Sequence, residues 1–576
     1  MIRFASRCRG AATPFSARVH IASDQSADCF VKRCIRDQFA CKFTPAEGAL
    51  HFRHTVTAGR SYLLCIALKV HKLSTFFLQK NRPHSYLRHT IQVIHSTVII
   101  MPSFESAASH IAPLPSASKP LPLTTSTEGL QALADKHITK GLGRLRDHVF
   151  KEGKGLRVLT TENQKLLDFT SGIGVTSLGH AHPDVTAAII SQAQSIIHVQ
   201  CAIGLSEPYV QLVESLLTMM PDPSLDSFFF WNSGSEAIEA AIKVSRTKTK
   251  RNNIVVMQGG YHGRTSGAAA LTRSKTSFFR GTGPLMPCVY TTPFPYWHAM
   301  GLPKDIPEDV LIEQAILGVE NLLQQQTAPE DTAAIFLEPV IGEGGYIPAP
   351  TAYVKHLRKL CDKYGIMLVI DEIQTGFGRT GKTFAIEHTG VTPDIMVYAK
   401  GFANGMPISG IVTRKEIMDV MAPGSLGGTY SGNVVACAAA LATTQYMRTH
   451  DILGNVQARS EQLFKGLREI QEDEANGGWM IEEVRGKGLM IALEFKDPNS
   501  KLTSSHNRGD ITLPGNLNKL VQDACYDRGL LVLTTSIYPV LRLIPALVLN
   551  EEEVDEALKI MKESVKEVAR AIEGKQ

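Results

Sequence analysis

No Cys-x-x-Cys pair occurs among the ten cysteines of this chain, and five of them (Cys8, Cys29, Cys34, Cys41, Cys65) crowd into the first hundred residues. Without thiols at ligand spacing, and with no secretory signal pattern, neither a disulfide framework nor a structural zinc is expected. Long apolar runs are missing too. The best N-terminal stretches, "YLLCIALKV" and "IQVIHSTVII", are interrupted and fall short of the roughly 20 residues a membrane helix needs, so no transmembrane span is expected. A broad positive field is also absent. Residues 1–100 hold 15 Lys and Arg against 4 Asp and Glu, so with +5 overall the other 476 residues carry −6, and no nucleic-acid partner is expected.

What remains is a 576-residue chain, 44% hydrophobic and 20% charged, able to bury a large core in two or more domains. Residues 1–23 carry Arg3, Arg7, Arg9 and Arg18 with no acid before Asp24, which fits a mitochondrial presequence. An alternative start at Met101 opens a Ser/Pro/Ala-rich stretch of the kind found in disordered N-termini. The expected compartment is therefore intracellular: the cytosol, or the mitochondrial matrix if residues 1–23 act as a presequence.

After this extension (1–124), "GLQALADKHITKGLGRLRDHVF" has helical spacing, and "RVLTT" and "KLLDFTSG" read as short strands. These belong to 125–184, the N-terminal part of a small domain. Between 185 and 450, the strand-like "NNIVVMQ", "TAAIFLEPV", "IMLVIDEI", "DIMVYAKG" and "ISGIVTR" alternate with the helical "SEAIEAAIKVSR" and "TAYVKHLRKLCDKYG". That alternation predicts a large α/β domain whose mostly parallel sheet is covered on both faces. The tail, 451–576, reads as a smaller α+β domain.

One segment, "LVIDEIQTGFGRTGKT", satisfies three nucleotide-binding patterns at once. Gly376, Gly378 and Gly381 spell G-x-G-x-x-G, Gly376 to Thr383 spell a P-loop, and "LVIDE" looks like an acidic strand end. A P-loop needs a long helix directly after Lys382-Thr383, yet only "FAIEH" precedes Gly390 and Pro393. The acidic strand also lies in the same segment rather than on a separate strand. What survives is a strand ending in Asp371, in a sheet class whose ligands sit beyond the carboxyl ends of strands.

A second strand, "DIMVYAKG", ends in Lys400, where apolar surroundings favour a neutral, nucleophilic amine. Pyridoxal phosphate requires such a pair: a lysine for its aldehyde, and an acid holding the pyridine nitrogen protonated. The plainer alternative makes Asp371 a strand cap and Lys400 a solvated loop charge. Gly234 and Ser235, ahead of an amphipathic helix, offer amide donors for a phosphate. In "QGGYHGRT", Tyr261 has a face to stack on a ring, and Arg264 has the fork for a carboxylate.

Together these residues resemble the class III aminotransferases, pyridoxal-phosphate enzymes of fold type I. The resemblance covers about 125 to 570, with "TSGIGVTSLGHAHP", "NSGSEA", "GGYHGRT", "LEPVIGEGG", "VIDEIQTGFGRTG", "YAKG" and "GGTYSGN" in the family's order. It implies that Lys400 is the Schiff-base lysine and proton shuttle, that Asp371 partners the pyridine nitrogen, and that Gln374 partners the ring hydroxyl. It also implies that Tyr261 stacks on the ring, that His262 is part of the cofactor site, and that Gly234 and Ser235 hold the phosphate. Thr429 of a second subunit would join them, in a homodimer or a dimer of dimers.

Within the family the sequence is most similar to 4-aminobutyrate aminotransferases of the bacterial type. That similarity places Ile173, Arg264, Glu338, Glu343 and Arg542 in the substrate pocket. Arg264 would take a γ-carboxylate, and Glu343 would mask or free Arg542, the arginine for the α-carboxylate of glutamate. Small-molecule partners follow: an amino donor and 2-oxoglutarate. Ile341 and Ala202 depart from the family pattern and are expected to enlarge or dry the pocket. Rival readings are acetylornithine or ornithine transamination, dialkylglycine decarboxylation, and a non-catalytic member of the fold.

Overall fold

The computed structural model describes residues 122–498, 500–504 and 513–574, together with the backbone of three strands nearer the N-terminus. Those strands, Phe15–His20, Cys41–Thr44 and Ala49–His54, form an antiparallel sheet in a unit spanning Met1–Pro122. The remaining presequence and linker expectations lie outside the described residues. The second unit, Leu123–Gln576, holds everything below.

Seven strands make its central sheet: β1 (Ser227–Trp231), β2 (Asn253–Met257), β3 (Val289–Thr292), β4 (Thr332–Leu337), β5 (Met367–Asp371), β6 (Ile395–Tyr398) and β7 (Ser409–Thr413), in the order β1-β7-β6-β5-β4-β2-β3. All neighbours pair in parallel except β7, which runs against both β6 and β1. The strands read as unbroken apolar runs because both faces are covered. Alternation decides which residue meets which layer. Ala334 and Phe336 of β4, Val369 of β5 and Val397 of β6 face helix α1 (Gly234–Thr249) through its Ala237, Ile238 and Ala241. Ile335, Leu337, Leu368, Ile370 and Met396 face the opposite layer, which includes helix α2 (Thr351–Tyr364) through Tyr353, Val354 and Leu357.

Two four-stranded sheets and a two-stranded one, Val340–Ile341 with Ile347–Pro348, complete the unit. In one four-stranded sheet, Leu530–Leu531 pairs in parallel with Lys165–Asp168, bonding the beginning of this unit to its end. The other joins Ile481–Lys487, Met490–Phe495, Val540–Leu543 and Leu533–Thr535 in antiparallel pairs. The helix expected from residue 129 onward stops at His137: it buries no residue, and Gly141 and Gly143 follow within two turns. Phe150, the end of the same stretch, instead begins a strand. Among the described residues, no helix is long and apolar enough to cross a membrane.

Candidate active site

The carboxyl ends of β1, β2, β4, β5 and β6 share one edge of the sheet, and a cavity of about 270 Å³ opens there. Asp371 is the last residue of β5, and Lys400 follows β6 by two residues. Because β7 is reversed, its lead-in arrives at the same edge, so Met406, Pro407 and Ile408 close one wall. Sequence patterns gave no hint of that wall, since strand direction is not written in a strand's composition.

Asp371 is buried, and its Oδ2 lies 2.7 Å from His262 Nδ1 while its Oδ1 accepts the Ile373 amide at 3.0 Å. Burial opposes a charged imidazole, but the bond to Asp371 wins and raises the His262 pKa. Glu338 sits behind them, its two oxygens accepting the amides of Tyr261 (2.7 Å) and Gly342 (2.9 Å). Its carboxyl is pushed up to about 7, first by burial, against the pull of His262 and with the push of Asp371. Lys400 faces the cavity with a left-handed φ of 47°. Burial lowers its pKa, although Glu343 favours its charge.

The helix start is placed differently from the sequence expectation. Ser233, not Gly234 or Ser235, caps α1, and it forms a capping box with Glu236. Gly234 and Ser235 are therefore the first two helical residues, where backbone amides lack partners within the helix. The Ser-x-x-Glu spacing was a readable signal for this cap. Gly234 packs closely on Ile373: a Cβ there would meet Ile373 Cδ1 at 2.9 Å, and that side chain would have to shift.

Glu343 also lines the cavity, and its Oε1 accepts from Arg542 Nη1 at 2.5 Å. Burial raises the Glu343 pKa, but Arg542, helped by Lys400 and Lys275, holds it below the usual carboxylate range. Thr535 Oγ1 lies 3.2 Å from both the Glu343 carbonyl oxygen and its Oε2.

The structure thus gathers Gly234, Ser235, Tyr261, His262, Glu338, Glu343, Asp371, Gln374 and Lys400 around one space. Arg542 stands behind Glu343. Ile173, Arg264 and Thr429 do not line the cavity of a single chain, and all three are exposed. The Arg264 guanidinium lies over the Phe278 ring, 4.6 Å from its centre. Ile341 and Ala202 do not line the cavity either. Ile341 is buried in the core and Ala202 is exposed, so neither enlarges or dries the pocket of one chain.

These residues fit pyridoxal phosphate on two structural grounds. The Gln374 Oε1 atom lines the cavity yet is buried without a hydrogen-bond partner, which suits a ring hydroxyl. The start of α1 offers free amides beside it, which suits a phosphate. Asp371 and Lys400 supply the carboxylate and amine that the cofactor's chemistry needs.

Comparison with known proteins agrees. A family model for aminotransferase class-III matches residues 143–565. The 5-aminovalerate aminotransferase of Pseudomonas putida is 35% identical over 448 residues, covering 78% of this chain and 100% of its own. The 4-aminobutyrate aminotransferase of Escherichia coli is 35% identical over 438 residues, covering 76% and 97%. Among solved structures, the taurine:2-oxoglutarate aminotransferase of Bifidobacterium kashiwanohense, in complex with PLP and glutamate, aligns at a TM-score of 0.70 and 27% identity, over 77% of this chain and 99% of that one. The mostly parallel seven-stranded sheet is the large sheet of fold type I. By motif, geometry and likeness, the chain belongs to the class III aminotransferases and is a transaminase dependent on pyridoxal phosphate.

Proposed function

We propose that the amino donor is an ω-amino acid, 4-aminobutyrate above others, and that the acceptor is 2-oxoglutarate, giving a semialdehyde and glutamate. The observation that carries this reading is the ion pair of buried Arg542 with the largely covered Glu343 at the cavity wall. An ω-amino acid brings no α-carboxylate, so Arg542 must be masked; glutamate brings one, so Arg542 must be free. A carboxylate that pairs with Arg542 in one half-reaction and leaves it in the other meets both demands. Arg264, next in sequence to the cavity-lining Gly263, takes the distal carboxylate that both substrates share, and Ile173 adds apolar surface on the substrate side.

When bound, pyridoxal phosphate supplies an aldehyde that accepts the amino group and a ring that withdraws electrons. Lys400, whose pKa burial lowers, would remove the proton from the donor carbon and deliver it. Asp371, oriented by His262, holds the proton on the ring nitrogen. Gln374 Oε1 accepts from the ring hydroxyl, and Tyr261 stacks on the ring. Gly234 and Ser235 bind the phosphate, joined by Thr429 of a second subunit. The homodimer is supported by exposed Ile196, Ile197, Ile203 and Leu205; the first two lie beside the segment that follows Thr429, where the His198 ring packs on Tyr430 and Asn433 Nδ2 donates to the Ile197 carbonyl.

The test is the visible spectrum of the loaded protein with 4-aminobutyrate and no keto acid. The yellow band bleaches on this reading, and glutamate appears once 2-oxoglutarate is added. A band that persists with 4-aminobutyrate but bleaches with acetylornithine would overturn the choice of donor. The phosphate end carries its own prediction. Gly263 has φ 129°, and a Cβ there would lie 2.3 Å from Ser235 Oγ. Strain of about 1–3 kcal/mol should therefore weaken cofactor binding in Gly263→Ala by roughly tenfold or more, as read by titration of the apo-protein.

A further inference from the structure

If Glu343 leaves Arg542 during the glutamate half-reaction, a buried carboxylate needs another cation to meet. Lone buried charges are costly, so the second position must be built as carefully as the first. Lys400 is committed to the chemistry. The other cation acting on Glu343 is Lys275.

Lys275 is half-buried, and among the described residues its ammonium has neither a carboxylate within ion-pair range nor a hydrogen-bond acceptor. Its place in the fold is fixed from both sides. Residues Arg273 and Ser274, just before it, share a small cavity with Gly344 and Ser536, so this segment lies against the turn that carries Glu343. Just after it, Lys275 caps the single turn Thr276–Phe278, whose Phe278 ring packs 5.1 Å from Tyr261 and beneath Arg264. Lys275 is thereby the link between a segment that shares a cavity with the Glu343 turn and a turn that packs on Tyr261. The charges of Glu343 and Arg542 both reach it, with opposite effects, while burial lowers its pKa.

We propose that Lys275 is a positioning residue that receives the Glu343 carboxylate when Arg542 is released to bind an α-carboxylate. The inference rests on the exchange of Glu343 proposed above. In the closed arrangement Glu343 belongs to Arg542, and Lys275 stands unpaired at a desolvation cost. In the open arrangement that cost is relieved by a new ion pair, which brings the two states closer in free energy. A neutral side chain at 275 would leave the departing carboxylate unpaired and favour the closed state. Only the half-reaction that needs Arg542 open should then slow.

The experiment measures both half-reactions of the loaded enzyme in single turnovers: 4-aminobutyrate on the yellow form, and 2-oxoglutarate on the amino form. In Lys275→Met, the ratio of the 2-oxoglutarate rate constant to the 4-aminobutyrate rate constant should fall about tenfold, the size of one lost partly buried charge pair. Lys275→Arg, which retains the charge, should restore most of it. A merely structural role would slow both halves alike and leave the ratio unchanged, and that result would overturn the proposal. Glu343→Gln separates the two layers of inference. If it shifts the ratio and Lys275→Met does not, the exchange stands and Lys275 is not its second partner. If neither variant shifts the ratio, the exchange itself fails.

Discussion

Lys400→Ala is expected to lower turnover by about four orders of magnitude or more, the range spanned by losing a general base and an activated amine together. Lys400→Arg is expected to be as inactive, because a guanidinium keeps its charge at every working pH and cannot take a proton from carbon. That pairing separates amine chemistry from simple positive charge beside Glu343. Burial lowers the Lys400 pKa, so the neutral amine persists to lower pH than for an exposed lysine. The acid side of the rate profile in wild type should therefore lie below the ordinary lysine range. Steady-state glutamate formation checks the rates, and thermal unfolding checks that both variants fold. Lys382→Ala is the control from the P-loop-like "GFGRTGKT". Lys382 is exposed and outside the cavity, so its loss should change kcat by less than about twofold. Appreciable turnover in the Lys400→Arg variant would remove Lys400 from the proton transfer.

The central fold was legible because both of its layers leave a signature in single strands. "TAAIFL" and "MLVID" are apolar at nearly every position because each face meets a layer, and "SEAIEAAIKVSR" keeps its apolar stripe at helical spacing. Direction was not legible: Ser409–Thr413 reads like its neighbours, yet it is the reversed strand, since pairing sense depends on how the chain returns. The stretch from residue 129 onward misled because regular spacing suggests a helix even where nothing covers it.

The site divides in the same way. Asp371 and Lys400 could be found because strand ends point at ligands, and Glu236 three residues after Ser233 announced a helix start. The pair formed by Glu343 and Arg542 spans 199 positions, and no local pattern brings such residues together; only the resemblance to a family placed them. Lys275 had no signal at all. Its meaning lies in what it lacks, a partner, and that is a property of packing rather than of sequence.

Asp371→Asn is expected to reduce kcat by about three orders of magnitude while the cofactor still binds. The amide is nearly isosteric, so one of its atoms can still meet the Ile373 amide, now 3.0 Å from Asp371 Oδ1, and β5 should keep its end. What disappears is the negative charge, with two consequences. If Asp371 has the role proposed above, the ring nitrogen of bound cofactor would lose the group that holds its proton, and the ring would withdraw electrons more weakly. His262 changes as well. Burial lowers its pKa, and the contact with Asp371 is the main influence against that, with Glu338 a smaller one, so replacing the carboxylate by an amide should lower the His262 pKa. The loss should therefore fall on proton abstraction. A donor deuterated at the reacting carbon should show a larger isotope effect on kcat in Asp371→Asn than in wild type, with the yellow band still present. If kcat stayed within about tenfold of wild type, Asp371 would be a strand cap and the ring nitrogen would owe its proton to another group. If the band itself were lost, the substitution would have acted on cofactor binding through His262 and Ile373 rather than on the chemistry.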